Sequence, residues 1–307
     1  MRTVLFAGGT GGAKLAHGLQ QVLQPGELSV IVNVGDDTER HGLLICPDLD
    51  TILYTLAGLA DAAQGWGVAG DTHTAMAMLE RYGEETWFRI GDADLATHVH
   101  RAGLMRDGAS LTDATAAMAA ALGVPSRLLP ASDEPVRTVI QTDEGPIDFQ
   151  TYFVRRAQAD DVRGLDFRGA DAAKPAGAAL RALEEAELIV IGPSNPLVSI
   201  GPILAIPGYR EAIQGATVPR VGVSGIVAGH ALRGPADRML ATLGHEATAR
   251  GVAALYTGLL DQFVIDEADG ALAAQIADLG MKPVVLPTVM RSDEDRASLA
   301  RAIVALA

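Results

Sequence analysis

The sequence predicts an α/β protein: a doubly wound, mostly parallel, Rossmann-like sheet with a helical and β-hairpin elaboration in the middle of the chain. Three observations carry this. Short runs rich in Val, Ile and Leu recur, they are apolar on both faces, and helical stretches separate most of them. A strand that is apolar on both faces belongs in a parallel sheet covered by helices, and alternating strand and helix defines the α/β class.

In chain order, Thr3–Ala7 reads as the first strand and runs into Gly8-Gly9-Thr10-Gly11-Gly12-Ala13-Lys14, followed by a helix over 13–23. Residues 28–34 read as the second strand and 48–62 as a helix. From about 71 to 122 the chain reads as mostly helical, most clearly in the alanine-rich 114–121. The runs 136–142 and 147–154 flank Asp143-Glu144-Gly145-Pro146 and read as an antiparallel hairpin. Alternation then resumes, with strands over 188–192, 219–224, 262–266 and 283–286 and helices over 235–243, 271–279 and 293–306. No Pro/Ser-rich linker bounds the middle, so residues 1–307 are expected to form one α/β domain with an inserted elaboration at about 71–185.

Composition narrows the function classes. With 49% hydrophobic and 20% charged residues, the 307-residue chain can bury a sizeable core and is no candidate for disorder. The net charge of −14 argues against nucleic acid or an anionic membrane as partner, since both reward a basic surface. Small phosphorylated ligands stay open, because a few fixed N–H groups, a metal ion and one or two cations hold them locally. Cys46 is the only cysteine, so a reducing setting is expected. The start has no signal-peptide character, and no uninterrupted apolar run reaches about 18 residues. A cytoplasmic location is the expectation.

The glycine segment lets the backbone turn sharply and approach a ligand, while the helix after it offers unpaired N–H groups and a positive dipole end. Gly9, Thr10, Gly11, Gly12 and Lys14 are therefore candidate phosphate binders. The segment is not a Walker A loop, because Leu15 follows Lys14 where Ser or Thr is needed. Nor is it a dinucleotide fingerprint, because Lys14 stands where the third glycine belongs; this disfavours an ordinary dinucleotide-dependent oxidoreductase. A ligand-free strand-to-helix turn would use the same glycines.

The second strand ends in Asn33-Val34-Gly35-Asp36-Asp37-Thr38, and Cys46-Pro47-Asp48-Leu49-Asp50-Thr51 opens the next helix. Carboxylates converging near the glycine segment repel one another unless a cation lies among them. Mg2+ suits this, since it takes one or two carboxylates and fills its other positions with water and substrate phosphates. Asp48 also fits an N-cap, Asp50 a first-turn dipole partner, and Asp36 and Asp37 a plain turn.

After the strand at 188–192 comes Gly192-Pro193-Ser194-Asn195-Pro196-Leu197-Val198-Ser199, a proline-stiffened loop that offers hydroxyls and an amide. Ser194, Asn195 and Ser199 are candidate nucleotide or phosphate contacts. The stretch from Gly222 to His230 has the same character and is a candidate pocket wall. His98 and His100 read as solvated surface residues, Cys46 as a small core residue, and Trp66 as either a ligand-stacking ring or a loop anchor.

Taken together, the segments beginning Ala7-Gly8-Gly9, Val32-Asn33-Val34-Gly35-Asp36-Asp37, Pro47-Asp48-Leu49-Asp50-Thr51 and Gly192-Pro193-Ser194-Asn195-Pro196 resemble the 2-phospho-L-lactate transferase family of coenzyme F420 biosynthesis. Trp66-Gly67 and Gly70-Asp71-Thr72 fit the same pattern, so the likeness covers nearly the whole chain. The resemblance implies a Mg2+-dependent transferase. Its acceptor would be the deazaflavin Fo, and its donor a guanosine diphosphate carrying lactate, enolpyruvate or glycerate on its distal phosphate. The products would be F420-0 or a close relative, and GMP. It further implies Asp37 and Asp50 as catalytic residues, with the metal on Asp37, Asp48 and Asp50. Gly9, Thr10, Gly11, Gly12, Lys14, Asn33, Asp36, Thr51, Ser194, Asn195 and Ser199 would bind substrate. A homodimer is implied as well. The competing reading is a nucleotide-sugar-binding regulator of the gluconeogenesis-factor type, which is expected to lack the Pro-Asp-Leu-Asp-Thr segment.

Overall fold

In a computed structural model of the chain, which describes residues 1–61 and 63–307, seven strands form one parallel sheet. They are β1 (Thr3–Ala7), β2 (Leu28–Val32), β3 (Arg127–Pro130), β4 (Leu188–Ile191), β5 (Arg220–Val223), β6 (Gln262–Ile265) and β7 (Lys282–Val285). Their order across the sheet is β7-β6-β5-β4-β1-β2-β3. Six were expected, and β1, β2 and β4 are buried along their whole length, as two-faced apolar strands must be.

The seventh, β3, lies inside the stretch 71–185 expected to be an elaboration, yet it pairs in parallel with β2, Ser29 opposite Arg127 and Val32 opposite Pro130. It escapes notice because it is four residues long and ends in proline, which an edge strand tolerates and a central one does not. The elaboration is thus two pieces on either side of β3. Before it come α3 (Thr74–Arg81), α4 (Asp92–Arg106) and α5 (Leu111–Ala121), which accord with the expected helical region. After it comes a three-stranded antiparallel sheet.

The expected hairpin is shorter than read. Arg137–Thr142 pairs with Gly145–Asp148, so Gly145 and Pro146 belong to the second strand and not to the turn. That strand stops at Asp148, whose carboxylate accepts from the Thr151 N–H at 3.0 Å and starts a π-helical turn over Thr151–Arg155. A third strand, Gly164–Arg168, lies on the other side of Arg137–Thr142.

Two helices depart from their expected bounds. α1 (Gly9–Val22) begins within the glycine segment, so those glycines are its first turn. α2 (Pro47–Leu56) stops short of the expected 48–62: Gly58 turns left-handed (φ 72°) and the Leu59 N–H bonds back to the Tyr54 carbonyl. The far end of that expectation, Ala62, lies outside the described residues.

One apolar core cluster runs from Val4 to Ile303. Within it α1 meets the C-terminal helix (Asp293–Val304) so closely that a Cβ on Gly18 would sit 2.2 Å from the Arg296 carbonyl oxygen. Strand order reverses between β1 and β4, and the crevice at such a reversal is where open α/β sheets place ligands.

Candidate active site

That crevice is a cleft of about 1050 Å³. Its floor is pinned by Ser194, whose hydroxyl accepts from the Gly8 N–H (3.1 Å) and donates to the Gly8 carbonyl (2.8 Å). Asp48 Oδ1 accepts from the Gly9 N–H at 2.6 Å. A Cβ on Gly8 would fall 2.3 Å from Asp48 Oδ2, so only glycine admits that carboxylate so close to the first strand's end. The first-turn amides of α1 lack intrahelical acceptors, and Gly8 has no side chain to cap them, which leaves an end that favours anions. Gly9, Thr10, Gly11 and Lys14 line the cleft as expected. Gly12 does not: it is packed behind, where a Cβ would lie 2.6 Å from Ser194 Oγ and 2.8 Å from the Ala7 Cβ.

Three of the four predicted carboxylates, Asp36, Asp48 and Asp50, line the cleft together with Thr51. Asn33 stands behind them as a strut. Its Nδ2 donates to Asp36 Oδ1 (3.3 Å), Asp48 Oδ2 (3.0 Å) and the Val198 carbonyl (3.3 Å), while its Oδ1 accepts from the Gly35 N–H. Burial, and then the Asp48 and Asp37 carboxylates, push Asp36 well above the usual carboxylate range. Burial pushes Asp48 up to about 6, although the Asn33 amide and the Gly9 N–H both donate to it.

Asp37, expected to share a metal with Asp48 and Asp50, lies off the cleft. Of the two neighbours, Asp36 takes the cleft side. Asp37 sits inward beside Cys46, with Oδ1 lacking a hydrogen-bond partner, and burial pushes it up to about 8 against the pull of Arg137 and Arg101. Cys46 is buried, as expected.

Asp50 is completed differently. Both its oxygens are taken by the fork of Arg101, Nη1 to Oδ2 at 3.2 Å and Nη2 to Oδ1. His98 Nδ1 lies 3.6 Å from Asp50 Oδ2, His98 Nε2 lies 3.4 Å from Asp94 Oδ1, and the Tyr54 hydroxyl donates to Asp94 Oδ1 at 2.7 Å. Burial alone would lower the Arg101 pKa; the Asp50 carboxylate overcomes it and the net shift is upward. His98 is therefore no surface residue: it is 1% exposed, because Asp94, His98 and Arg101 lie on the face of α4 turned toward Asp50 and Tyr54 of α2. His100 is exposed as expected.

In the second loop, Ser194, Asn195 and Ser199 line the cleft. Asn195 Oδ1 is engaged as a cap, accepting from the Leu197 N–H at 2.9 Å. Sequence reasoning missed the cleft's other cations. Arg89, Arg233 and Arg291 line it with Lys14, and none of the four makes an ion pair among the described residues. Burial, then Arg296 and Arg233, lower the Lys14 pKa. Arg233 follows shortly after the predicted wall segment, of which Ser224, Gly225 and Val227 do line the cleft. Aromatic faces complete the lining: Trp66, 47% exposed, with Trp87, Phe88, Phe149 and Phe153. The i, i+4, i+7 spacing of Asp94, His98 and Arg101 is the one sequence signal that could have exposed the α4 face.

The chain that builds this cleft at the β1/β4 reversal has relatives among known proteins. The sequence pattern of the family described as 2-phospho-L-lactate transferase CofD matches residues 3–300. The chain belongs to this family. It is similar to a phosphoenolpyruvate transferase of Kitasatospora aureofaciens, 44% identical over 100% of this chain and 98% of the relative. It is also similar to a 2-phospho-L-lactate transferase of Methanosarcina mazei, 40% identical over 98% and 99% of the two chains. Among solved structures, a UPF0052-family protein of Bacillus halodurans shares the fold, with a TM-score of 0.63 at 18% identity over 99% of this chain and 98% of that one. As a CofD-family member the protein is a transferase of F420 biosynthesis. No helix among the described residues is long and apolar enough to cross a membrane.

Proposed function

We propose that the protein moves a phosphate-linked acid from a guanosine diphosphate donor to a ribityl hydroxyl of Fo, with Mg2+ as cofactor. The acid is lactate, enolpyruvate or glycerate. One observation carries the reading: a single cleft holds four cations that make no ion pair among the described residues, Lys14, Arg89, Arg233 and Arg291, and three buried carboxylates, Asp36, Asp48 and Asp50. A donor bearing a diphosphate uses both sets. The cations and the α1 amides receive its phosphates, and Trp66, the exposed aromatic side chain of the lining, offers a flat apolar face to the three-ring acceptor.

Asp36 and Asp48 fit a hard divalent cation. Both are buried oxygen donors in the cleft, only neutral N–H groups bond to them, and their mutual repulsion needs a positive charge. Bound there, Mg2+ would neutralise the diphosphate's charge. The chain's own groups do the rest. The acceptor hydroxyl oxygen bonds to the distal phosphorus, the bridging P–O bond breaks, and GMP leaves with the electron pair. Asp50, which lines the cleft, takes the hydroxyl's proton in this reading. Holding both partners in one cleft makes the attack effectively unimolecular.

The test is incubation with Fo and each of the three guanylylated acids, with MgCl2 or with EDTA, read by mass spectrometry. Metal-dependent formation of an Fo phosphodiester and GMP with one donor preferred is expected. Absence of product with all three donors refutes the reading.

A further inference from the structure

Arg101 heads the largest fully buried side chains among the described residues, and it does not line the cleft. It approaches Asp50 from behind. Nη1 donates to Asp50 Oδ2 (3.2 Å) and to the Leu44 carbonyl (3.3 Å), lies 3.3 Å from His98 Nδ1, and Nη2 holds Asp50 Oδ1. His98 meets the same Asp50 oxygen from one turn earlier on α4, and Asp94 and Tyr54 close the ladder between α4 and α2. A buried ion pair is a poor way to hold two helices together, because apolar side chains of the same volume do so without stripping water from two charges. What a two-pronged guanidinium adds is direction: it ties both carboxylate oxygens and so removes the freedom of both side-chain torsions.

We propose that Arg101, assisted by His98, is a positioning residue that fixes the orientation of the Asp50 carboxylate at the cleft wall. The inference rests on the reading of Asp50 as the group that meets the attacking hydroxyl. Arg101 itself touches no substrate; it acts through Asp50. Lysine keeps the charge but has a single nitrogen, so it cannot reproduce the fork.

The experiment is a cycle of Arg101→Lys, Asp50→Asn and the double variant, each purified, checked for folding by circular dichroism, and assayed for transfer to Fo. Arg101→Lys is expected to lower kcat about 10- to 100-fold, the cost of a misplaced reacting group, with the donor KM within about twofold of wild type. In the double variant the loss is expected to match that of Asp50→Asn alone within about twofold, because a residue that acts through Asp50 has nothing left to act on. An unchanged kcat in Arg101→Lys, or losses that multiply in the double variant, overturns the proposal. Should Arg101→Lys not fold, His98→Asn takes its place. It is expected to cost about 3- to 10-fold and to be equally non-additive with Asp50→Asn, and multiplying losses again overturn the idea. Wild-type turnover in Asp50→Asn would defeat the reading of Asp50 and this proposal with it, whereas a wild-type enzyme that makes no Fo adduct would defeat the transfer reading itself.

Discussion

The acidic cluster has two halves that use the same side chain at similar burial and are finished in opposite ways. Asp50 receives a guanidinium from α4, so the chain supplies its own counter-charge. Asp36 and Asp48 receive only neutral donors, an asparagine amide and a glycine N–H, and no ion pair reaches either among the described residues. A buried carboxylate without a cation is costly, so one half carries its own counter-charge and the other, on the proposal above, takes it from Mg2+. The difference separates roles that proximity in sequence would merge: Asp48 and Asp50 are two residues apart, yet one belongs to the open half and the other to the closed half.

Substitutions can break this comparison. Removing the open half with Asp36→Asn/Asp48→Asn is expected to cost about 10³-fold in turnover, as when charge-stabilising groups are lost from a site. It should also abolish any rise in melting temperature on adding MgCl2; a rise equal to wild type would show that the metal sits elsewhere. Asp50→Asn is expected to lower turnover about 10²-fold while keeping that rise. Steady-state rates and thermal scans on the same samples separate the two halves.

The pH dependence of stability sharpens the same point without mutation. Asp37 and Asp48 have folded pKa values raised to about 8 and about 6. The unfolded chain therefore gives up these protons first, and the folded state holds more protons between about pH 4 and pH 8. Stability from these groups is complete below the unfolded value near pH 4 and is lost as pH rises through the folded values. For Asp48 alone the loss is about 3 kcal/mol. In metal-free buffer the denaturation midpoint should fall from pH 5 to pH 8, and MgCl2 should restore more at pH 8 than at pH 5. A flat profile would place both groups in the unshifted range. The smallest effect is expected at the cationic side: Lys14→Ala should raise the donor KM about 5- to 10-fold with kcat little changed, the pattern of lost uniform binding. A fall in kcat at constant KM would instead tie Lys14 to the reaction step.

Much of the fold was legible because two-faced apolar strands leave few alternatives; Thr3–Ala7 and Leu188–Ile191 are cases where pattern and structure coincide. Arg127–Pro130 was not legible, since a four-residue edge strand ending in proline carries almost no periodic signal. In the site, the presence of an acidic cluster could be read, but its sorting could not. Which of Asp36 and Asp37 faces the cleft depends on the turn's dihedrals, and neighbouring letters do not encode them. Arg101 lies 51 residues from Asp50, and their meeting depends on how α4 docks. Of the cleft cations, Arg89 and Arg291 lie outside the motifs that announce the site, whereas Arg233 falls just past the predicted wall segment.

The contact of Gly18 with the backbone of the C-terminal helix has one more consequence. Lys14 donates to the Met290 carbonyl at 3.1 Å, and its nearest charged neighbours include Arg296. This end of the cleft is thus assembled from two segments 276 residues apart in sequence. It therefore forms only once strand pairing and helix docking have brought such distant segments together, so it is a product of the tertiary fold and not of the glycine turn alone.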